Sequence, residues 1–187
     1  VYKYKTPPFK HQRQSLIQGA KYYNYAYFME MGTGKTKVAI DNSAYLFQQK
    51  EIDFAFVIAP NSVYQNWKKE IDFHCPEKTN IYIWKVTKDK TFKLDPKKLT
   101  FVLMNVEALS HASGKKWLEY KLLKHGKKSI VILDESTSIK NLKASRTKAI
   151  IKLGKLAKYK RILTGSPVTK SPLDLFSQCN FLDPWLL

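Results

Sequence analysis

Short runs of apolar, β-branched and aromatic residues alternate along the chain with stretches whose apolar positions recur every three or four residues. The runs cover residues 25–28, 53–59, 80–86, 100–104, 129–133 and 161–164. Several are continuously apolar rather than alternating, which predicts strands covered on both faces, as in a parallel sheet. Between them the spacing predicts helices over residues 35–49, 62–73, 115–124, 144–155 and 172–181. Ser62, after Pro60-Asn61, reads as a helix cap, and Pro172 as a first-turn residue. Strands and helices in this alternation predict one α/β domain, a three-layer sandwich with a mostly parallel central sheet flanked by helices.

Ligands of such sheets sit at the carboxyl ends of the strands. The chemically suggestive residues fall there: 32–36, 60–62, 134–135 and 164–166. Gly32-Thr33-Gly34-Lys35-Thr36 stands between a strand and a helix, the setting of a phosphate-binding loop. Its glycines let the backbone curl so that N–H groups face phosphate oxygens. Lys35 would reach the β and γ phosphates of ATP, and the Thr36 hydroxyl would bind Mg²⁺. The full pattern places a further Gly where Met29 stands, and that departure touches only the outermost position. Asp134-Glu135 closes the run Ile130-Val131-Ile132-Leu133. A carboxylate there can hold Mg²⁺ through water, and its neighbour can polarise the attacking water. Asp134 is therefore the Mg²⁺ candidate and Glu135 the general-base candidate. Alone, the acidic pair is an ordinary solvated turn; the phosphate loop upstream is what favours chemistry.

Charge changes the picture next. Lys plus Arg outnumber Asp plus Glu by 33 to 15, a net charge of +18. Such an excess points to a polyanionic partner, with a Lys-rich, solubilising surface as the plainer alternative. On the helix from Ala144, Lys148, Lys152 and Lys155 form a stripe that reads equally as a DNA rail or a solvated face. Ala149, Ile150, Leu153 and Leu156 share the opposite, core-facing side. The lysines at 85, 88, 90, 93, 97 and 98 read as plain solvation. The two cysteines, Cys75 and Cys179, have no CxxC partner, so neither a disulfide framework nor a zinc site is expected. No window approaches a membrane-spanning length and no signal-peptide core opens the chain. An intracellular protein without a membrane partner is expected: cytoplasm or nucleoid of a bacterial or virus-infected cell, or nucleus if eukaryotic.

With these motifs in place, the chain resembles the first RecA-like lobe of superfamily-two helicases and, within them, the Swi/Snf family of DNA translocases. Phe9-Lys10-His11-Gln12 looks like the adenine-reading segment, with Gln12 as the reader. Residues 30–36 resemble the first motif. Ala59-Pro60-Asn61-Ser62-Val63, with Asn66-Trp67 and Glu70, is similar to motif Ia, and Met104-Asn105-Val106-Glu107 to motif Ib. Asp134-Glu135, extended through Ile139-Lys140-Asn141, matches motif II; Leu163-Thr164-Gly165-Ser166-Pro167 looks like motif III. The ending, Leu173 to Pro184, resembles the segment that closes this lobe. Ser136-Thr137 replaces the usual Ala-His or Gly-His, which puts coupling between ATP and the track in question but not Mg²⁺ binding.

The resemblance implies a RecA-like P-loop fold, ATP and Mg²⁺ as cofactors, and a motor that hydrolyses ATP to move along double-stranded DNA without sequence preference. It implies phosphate-backbone contacts from Asn61, Ser62 and Asn105, and coupling through Thr164 and Ser166. It also implies a second RecA-like lobe, in cis or in trans, carrying the arginine that faces the γ-phosphate. Such an arginine is worth about 10³ to 10⁵ in rate, so residues 1–187 alone are expected to bind ATP weakly and hydrolyse it poorly. The short, undecorated lobe fits a viral or bacterial member. Three other readings compete: a strand-unwinding DNA or RNA helicase, a DNA-binding module with a vestigial ATP site, and a P-loop kinase or switch. The last leaves Asn66-Trp67 and residues 163–167 unexplained. Trp67 is expected to pack behind motif Ia, and Trp84, Trp117 and Trp185 to lie in the core or at a lobe interface.

Overall fold

Six strands form one sheet in the order β1-β6-β5-β2-β4-β3, every neighbouring pair parallel, in a computed structural model that describes residues 2–85, 95–139, 141, 143–168 and 174–186. The strands are β1 (Asn24–Phe28), β2 (Phe54–Ala59), β3 (Thr79–Ile83), β4 (Leu99–Asn105), β5 (Ser129–Asp134) and β6 (Tyr159–Thr164). The expected sandwich is therefore present, with a sheet that is wholly rather than mostly parallel among the described residues. β3 ends at Ile83, three residues before the expected limit; Val86 lies outside the described residues, as do Lys140, Pro172 and Leu173.

The helices are α1 (Lys10–Gly19), α2 (Lys35–Gln48), α3 (Asn61–His74), α4 (Ala112–His125), α5 (Ser145–Gly154) and α6 (Asp174–Leu182). Alternation along the strands divides two cores. Ala55, Val57 and Ala59 pack with Leu16 of α1, Ile40 and Ala44 of α2 and Trp67 and Ile71 of α3. Phe54, Phe56 and Ile58 face the other way, towards Trp117 and Leu118 of α4, Ile150 and Leu153 of α5 and Phe181 of α6. Both faces of the sheet are thus covered, which is why its strands read as continuous apolar runs.

Two expectations need correction. Ser62 does not cap α3: the helix starts at Asn61 with Pro60 in the cap position and no side-chain cap bond. Proline fixes an extended entry (φ −59°, ψ 155°), so the helix begins one residue earlier and the first-turn N–H groups keep no side-chain partner. Trp185 is not a core residue, since 92% of its surface is exposed, which leaves only the lobe-interface half of its expectation.

α1 is an element that periodicity did not predict, and Arg161 of β6 anchors it. This side chain is fully buried, and all five guanidinium N–H groups find acceptors. Nε donates to Asn42 Oδ1 of α2 (2.9 Å), Nη1 to the carbonyls of Tyr23 and Lys160 (both 2.8 Å), and Nη2 to those of Gly19 (2.9 Å) and Tyr22 (3.0 Å). A cation over the carbonyl-rich end of α1 satisfies groups that the helix leaves without partners.

Candidate functional site

The strand ends are level, so the loops after them meet. Phe28 stands opposite Thr164, Leu163 opposite Asp134, Leu133 opposite Ile58, and Ala59 opposite Asn105. Beyond that line lies a cleft of about 300 Å³ bounded by Met31, Gly32, Gly34, Lys35, Thr36, Val63, Glu70, Asp134 and Glu135. The phosphate loop and the acidic pair, about a hundred residues apart in sequence, therefore share one cavity. A roomier groove of about 420 Å³ beside Tyr2, Tyr4, Leu16 and Tyr45 is apolar and unsuited to phosphate.

Gly32 and Gly34 take positive φ, +75° and +83°, which lets the loop turn into α2. Lys35 Nζ donates to the carbonyls of Met29 and Glu30, each at 3.0 Å, which holds the ammonium at the loop's mouth. Gln12 is buried beneath the loop: its Nε2 donates to Thr33 O (3.0 Å) and its Oε1 accepts from Phe9 N–H (3.0 Å). His11 Nε2 lies 3.0 Å from the same Thr33 carbonyl.

A Cβ added at Gly34 would lie 2.3 Å from Gln12 Nε2, whereas one added at Gly32 meets nothing within 4 Å. Gly34→Ala is therefore expected to destabilise by more than the roughly 1–2 kcal/mol of a left-handed non-glycine residue, and Gly32→Ala by no more than that. Urea denaturation of the two variants checks the order; equal losses would remove the contact from the account.

Asp134 is almost wholly buried, and both its carboxylate oxygens are engaged. Oδ1 accepts from Glu135 N–H at 2.9 Å, and Oδ2 accepts from Trp67 Nε1–H at 2.8 Å. Burial pushes its pKa up; the two donors pull it back, the neighbouring Glu135 charge raises it further, and the Lys35 charge lowers it. Glu135 has φ +49°, a backbone conformation that non-glycine residues seldom adopt. That twist aims the Glu135 N–H back at the Asp134 carboxylate.

Thr36 and Asp134 bring a hydroxyl and a carboxylate to the cleft. Mg²⁺ takes hard oxygens and keeps several waters, so one or two protein ligands beside a phosphate suffice. The donor set fits. Among the described residues no group of three or more His, Cys, Asp or Glu side chains is placed to hold a metal ion.

Motif III adjoins the same loop. Thr164 is buried, its carbonyl accepts from Met29 N–H (3.2 Å), and its Oγ1 accepts from Ser166 N–H (3.2 Å). Gly165 packs so closely that an added Cβ would be 3.2 Å from Met31 N. Ser136, which departs from the family pattern, donates to Gln178 Oε1 of α6 at 2.5 Å; Gln178 Nε2 donates to Pro167 O at 2.8 Å and to Asp174 O at 2.9 Å. A buried amide thus bridges the residue after the acidic pair to the end of motif III.

Asn61 and Asn105 line a second cleft of about 370 Å³ with Trp84, Lys85, Glu107, Ala108 and His111. Ser62 is exposed in the same first turn of α3 as Asn61. Asn105 Oδ1 is used by Glu107 N–H (2.9 Å), which leaves its amide N–H groups as donors. On α5, whose Arg146 pairs with Glu107 at 3.5 Å, Lys148 and Lys155 are exposed and Lys152 pairs with Glu119 at 3.1 Å.

Motif reading put Val63, Trp67 and Glu70 in motif Ia but not beside the phosphate loop and the acidic pair, and it missed Gln178 and the Gln12–Thr33 contact. Val63, Trp67 and Glu70 follow i, i+4, i+7 spacing, so one stripe of α3 was visible in sequence; what it faces was not. Glu70 also pairs with His74 Nε2 (3.2 Å), whose Nδ1 meets Thr6 Oγ1 (2.6 Å). Burial lowers the His74 pKa.

A family model described as the SNF2-related domain matches residues 26–187. The chain belongs to the SNF2-related domain family. The chromatin-remodeling ATPase INO80 of Arabidopsis thaliana is 28% identical over 161 residues, 84% of this chain and 11% of its own. The SWI/SNF-related matrix-associated actin-dependent regulator of chromatin subfamily A-like protein 1 homolog of Caenorhabditis elegans is 29% identical over 154 residues, 82% of this chain and 21% of its own. The Sulfolobus solfataricus SWI2/SNF2 ATPase core in complex with dsDNA superposes with a TM-score of 0.76 at 24% identity over all of this chain and 38% of that one. The resemblance drawn from the motifs and the expected fold both hold. This SNF2-related chain spans about a tenth to a fifth of those two curated relatives. Plant, nematode and archaeal relatives give no support to a viral or bacterial source. α1, with Gln12, precedes the matched residues but is included in the superposition. No helix among the described residues is long and apolar enough to cross a membrane.

Proposed function

We propose that this chain is the ATP-binding first lobe of a motor that hydrolyses ATP to move along double-stranded DNA. The observation that carries the reading is the shared cleft in which the phosphate loop and the Asp134–Glu135 pair face each other, with motif III packed against the loop. Lys35 and the N–H groups of residues 32–36 bind the phosphates, and Gln12, fixed under the loop, reads adenine. Thr36 and Asp134 hold Mg²⁺, which neutralises phosphate charge when bound. Glu135 orients and deprotonates the attacking water. Thr164 and Ser166 pass the state of the site to motif III. A second RecA-like lobe, in the same chain or a partner, brings the arginine that completes the site; the three arginine-bearing places described here, at Arg13, Arg146 and Arg161, lie away from the cleft lining.

Asn61, Ser62 and Asn105 lie along one DNA strand. The uncapped first turn of α3 presents N–H groups suited to a phosphate, and Lys85 adds charge beside them. The dsDNA bound to the Sulfolobus neighbour supports a duplex track. Contacts of this kind carry no sequence information. Affinity for duplex DNA is expected to fall steeply with salt, by about 10³-fold between 50 and 200 mM if six phosphates are neutralised, and equally for unrelated sequences. Ser62→Ala should weaken all duplexes alike in a fluorescence-anisotropy titration; a preference for one sequence would contradict the assignment. ATP turnover by the full-length protein with duplex DNA, single-stranded DNA and RNA tests the whole reading. Stimulation by duplex without strand displacement is the expected result, and stimulation by RNA alone overturns it.

A further inference from the structure

α3 turns one stripe towards the nucleotide cleft. Val63 and Glu70 line the cavity, and Trp67, between them, is fully buried with its indole N–H on Asp134 Oδ2 at 2.8 Å. The bond joins residues 67 positions apart on different layers. An indole has one donor and no acceptor, so its hydrogen can be satisfied in this core only by an oxygen such as this one. Asp134 in turn has its other oxygen fixed by the Glu135 N–H, so the carboxylate plane is set by two donors rather than by its own rotamer. The same helix begins, six residues and about 9 Å earlier, at the Asn61–Ser62 turn.

We propose that Trp67 is a positioning residue for the metal-holding carboxylate, so that α3 is a rigid link between the DNA-facing turn and the Mg²⁺ site. The inference rests on the motor reading above for the roles of Asp134 and of Asn61–Ser62. Partners that orient a metal-holding group from behind change metal affinity by about 10- to 100-fold when removed. A packing role alone would instead lower stability and leave the metal dependence of binding untouched.

The test is calorimetric binding of AMP-PNP to the full-length protein, in excess Mg²⁺ and in EDTA. Trp67→Phe deletes the donor, and Trp117→Phe, in the other core, controls for loss of a buried indole. Because Trp67→Phe also leaves space, a second variant carries the benzothiophene analogue of tryptophan at position 67, which keeps the shape and replaces the N–H by sulfur. The expected result is affinity about 10-fold weaker or more in Mg²⁺ for both position-67 variants, unchanged affinity in EDTA, and no Mg²⁺-specific loss in Trp117→Phe. Equal losses with and without Mg²⁺, or no loss in the sulfur analogue, overturn the role of Trp67. Failure of the unmodified protein to bind AMP-PNP more tightly in Mg²⁺ than in EDTA overturns the motor reading itself.

Discussion

Glu135→Gln is expected to leave Mg²⁺–ATP bound and to lower DNA-stimulated turnover by about 10²- to 10⁴-fold, the contribution of a positioned general base. Glutamine keeps the length and shape of the side chain. The backbone twist at φ +49° and the N–H bond to Asp134 belong to the main chain, so they survive the change. What is lost is the ability to accept a proton. Lys35→Ala differs in kind: it removes the ammonium held at the mouth of the loop and weakens nucleotide binding itself. Phosphate release at saturating ATP and duplex DNA, paired with a direct binding titration, separates the two. Turnover by Glu135→Gln within threefold of the parent protein would remove Glu135 from the chemistry.

The second large effect lies in the fold. Arg161→Met removes a donor from four carbonyls and from the Asn42 amide oxygen; of these, Gly19 O and Tyr23 O keep backbone donors from Tyr22 N–H and Lys160 N–H. An unsatisfied buried acceptor costs about 1–3 kcal/mol. Some of these groups lie near the surface and regain water, so a total loss of roughly 3–5 kcal/mol is expected, against a typical domain stability of about 5–15 kcal/mol. Arg161→Lys, with three donors on a single centre, retains part of the network and should fall between. Urea denaturation reads the loss. Since the guanidinium clamps the end of α1, and α1 carries Gln12, preference for ATP over GTP should relax in Arg161→Lys before the fold is lost. A Met variant within 1 kcal/mol of the parent would show that the buried charge is offset by its desolvation.

Much of this was legible in the residues themselves. The strands were visible because both faces of the sheet are covered, which leaves unbroken apolar runs such as residues 54–59. The phosphate loop and acidic pair were visible because their chemistry dictates residue types at short spacing. α1 was not. Its buried positions are Gln12, Leu16 and Gly19, a helical stripe in which two of three residues are not hydrophobic. Tertiary hydrogen bonds from Arg161 and to Thr33 hold it where apolar periodicity is silent. The Trp67–Asp134 bond was equally hidden, since each residue alone reads as core or as turn and only the packing of α3 on the sheet, over β2 and β4, makes them partners. The Ser62 cap failed because Pro60 had already fixed the entry to the helix.

The bridge from Ser136 through Gln178 to Pro167 has a practical use. The next residue along α6 is Cys179, a half-buried thiol whose pKa burial raises, while Cys75 is buried with its pKa pushed up to about 11. A thiol-reactive fluorophore should therefore attach at Cys179 without removing any native residue. Sitting one position from the amide that ties the acidic pair to motif III, such a label is placed to test whether that bridge shifts when nucleotide binds.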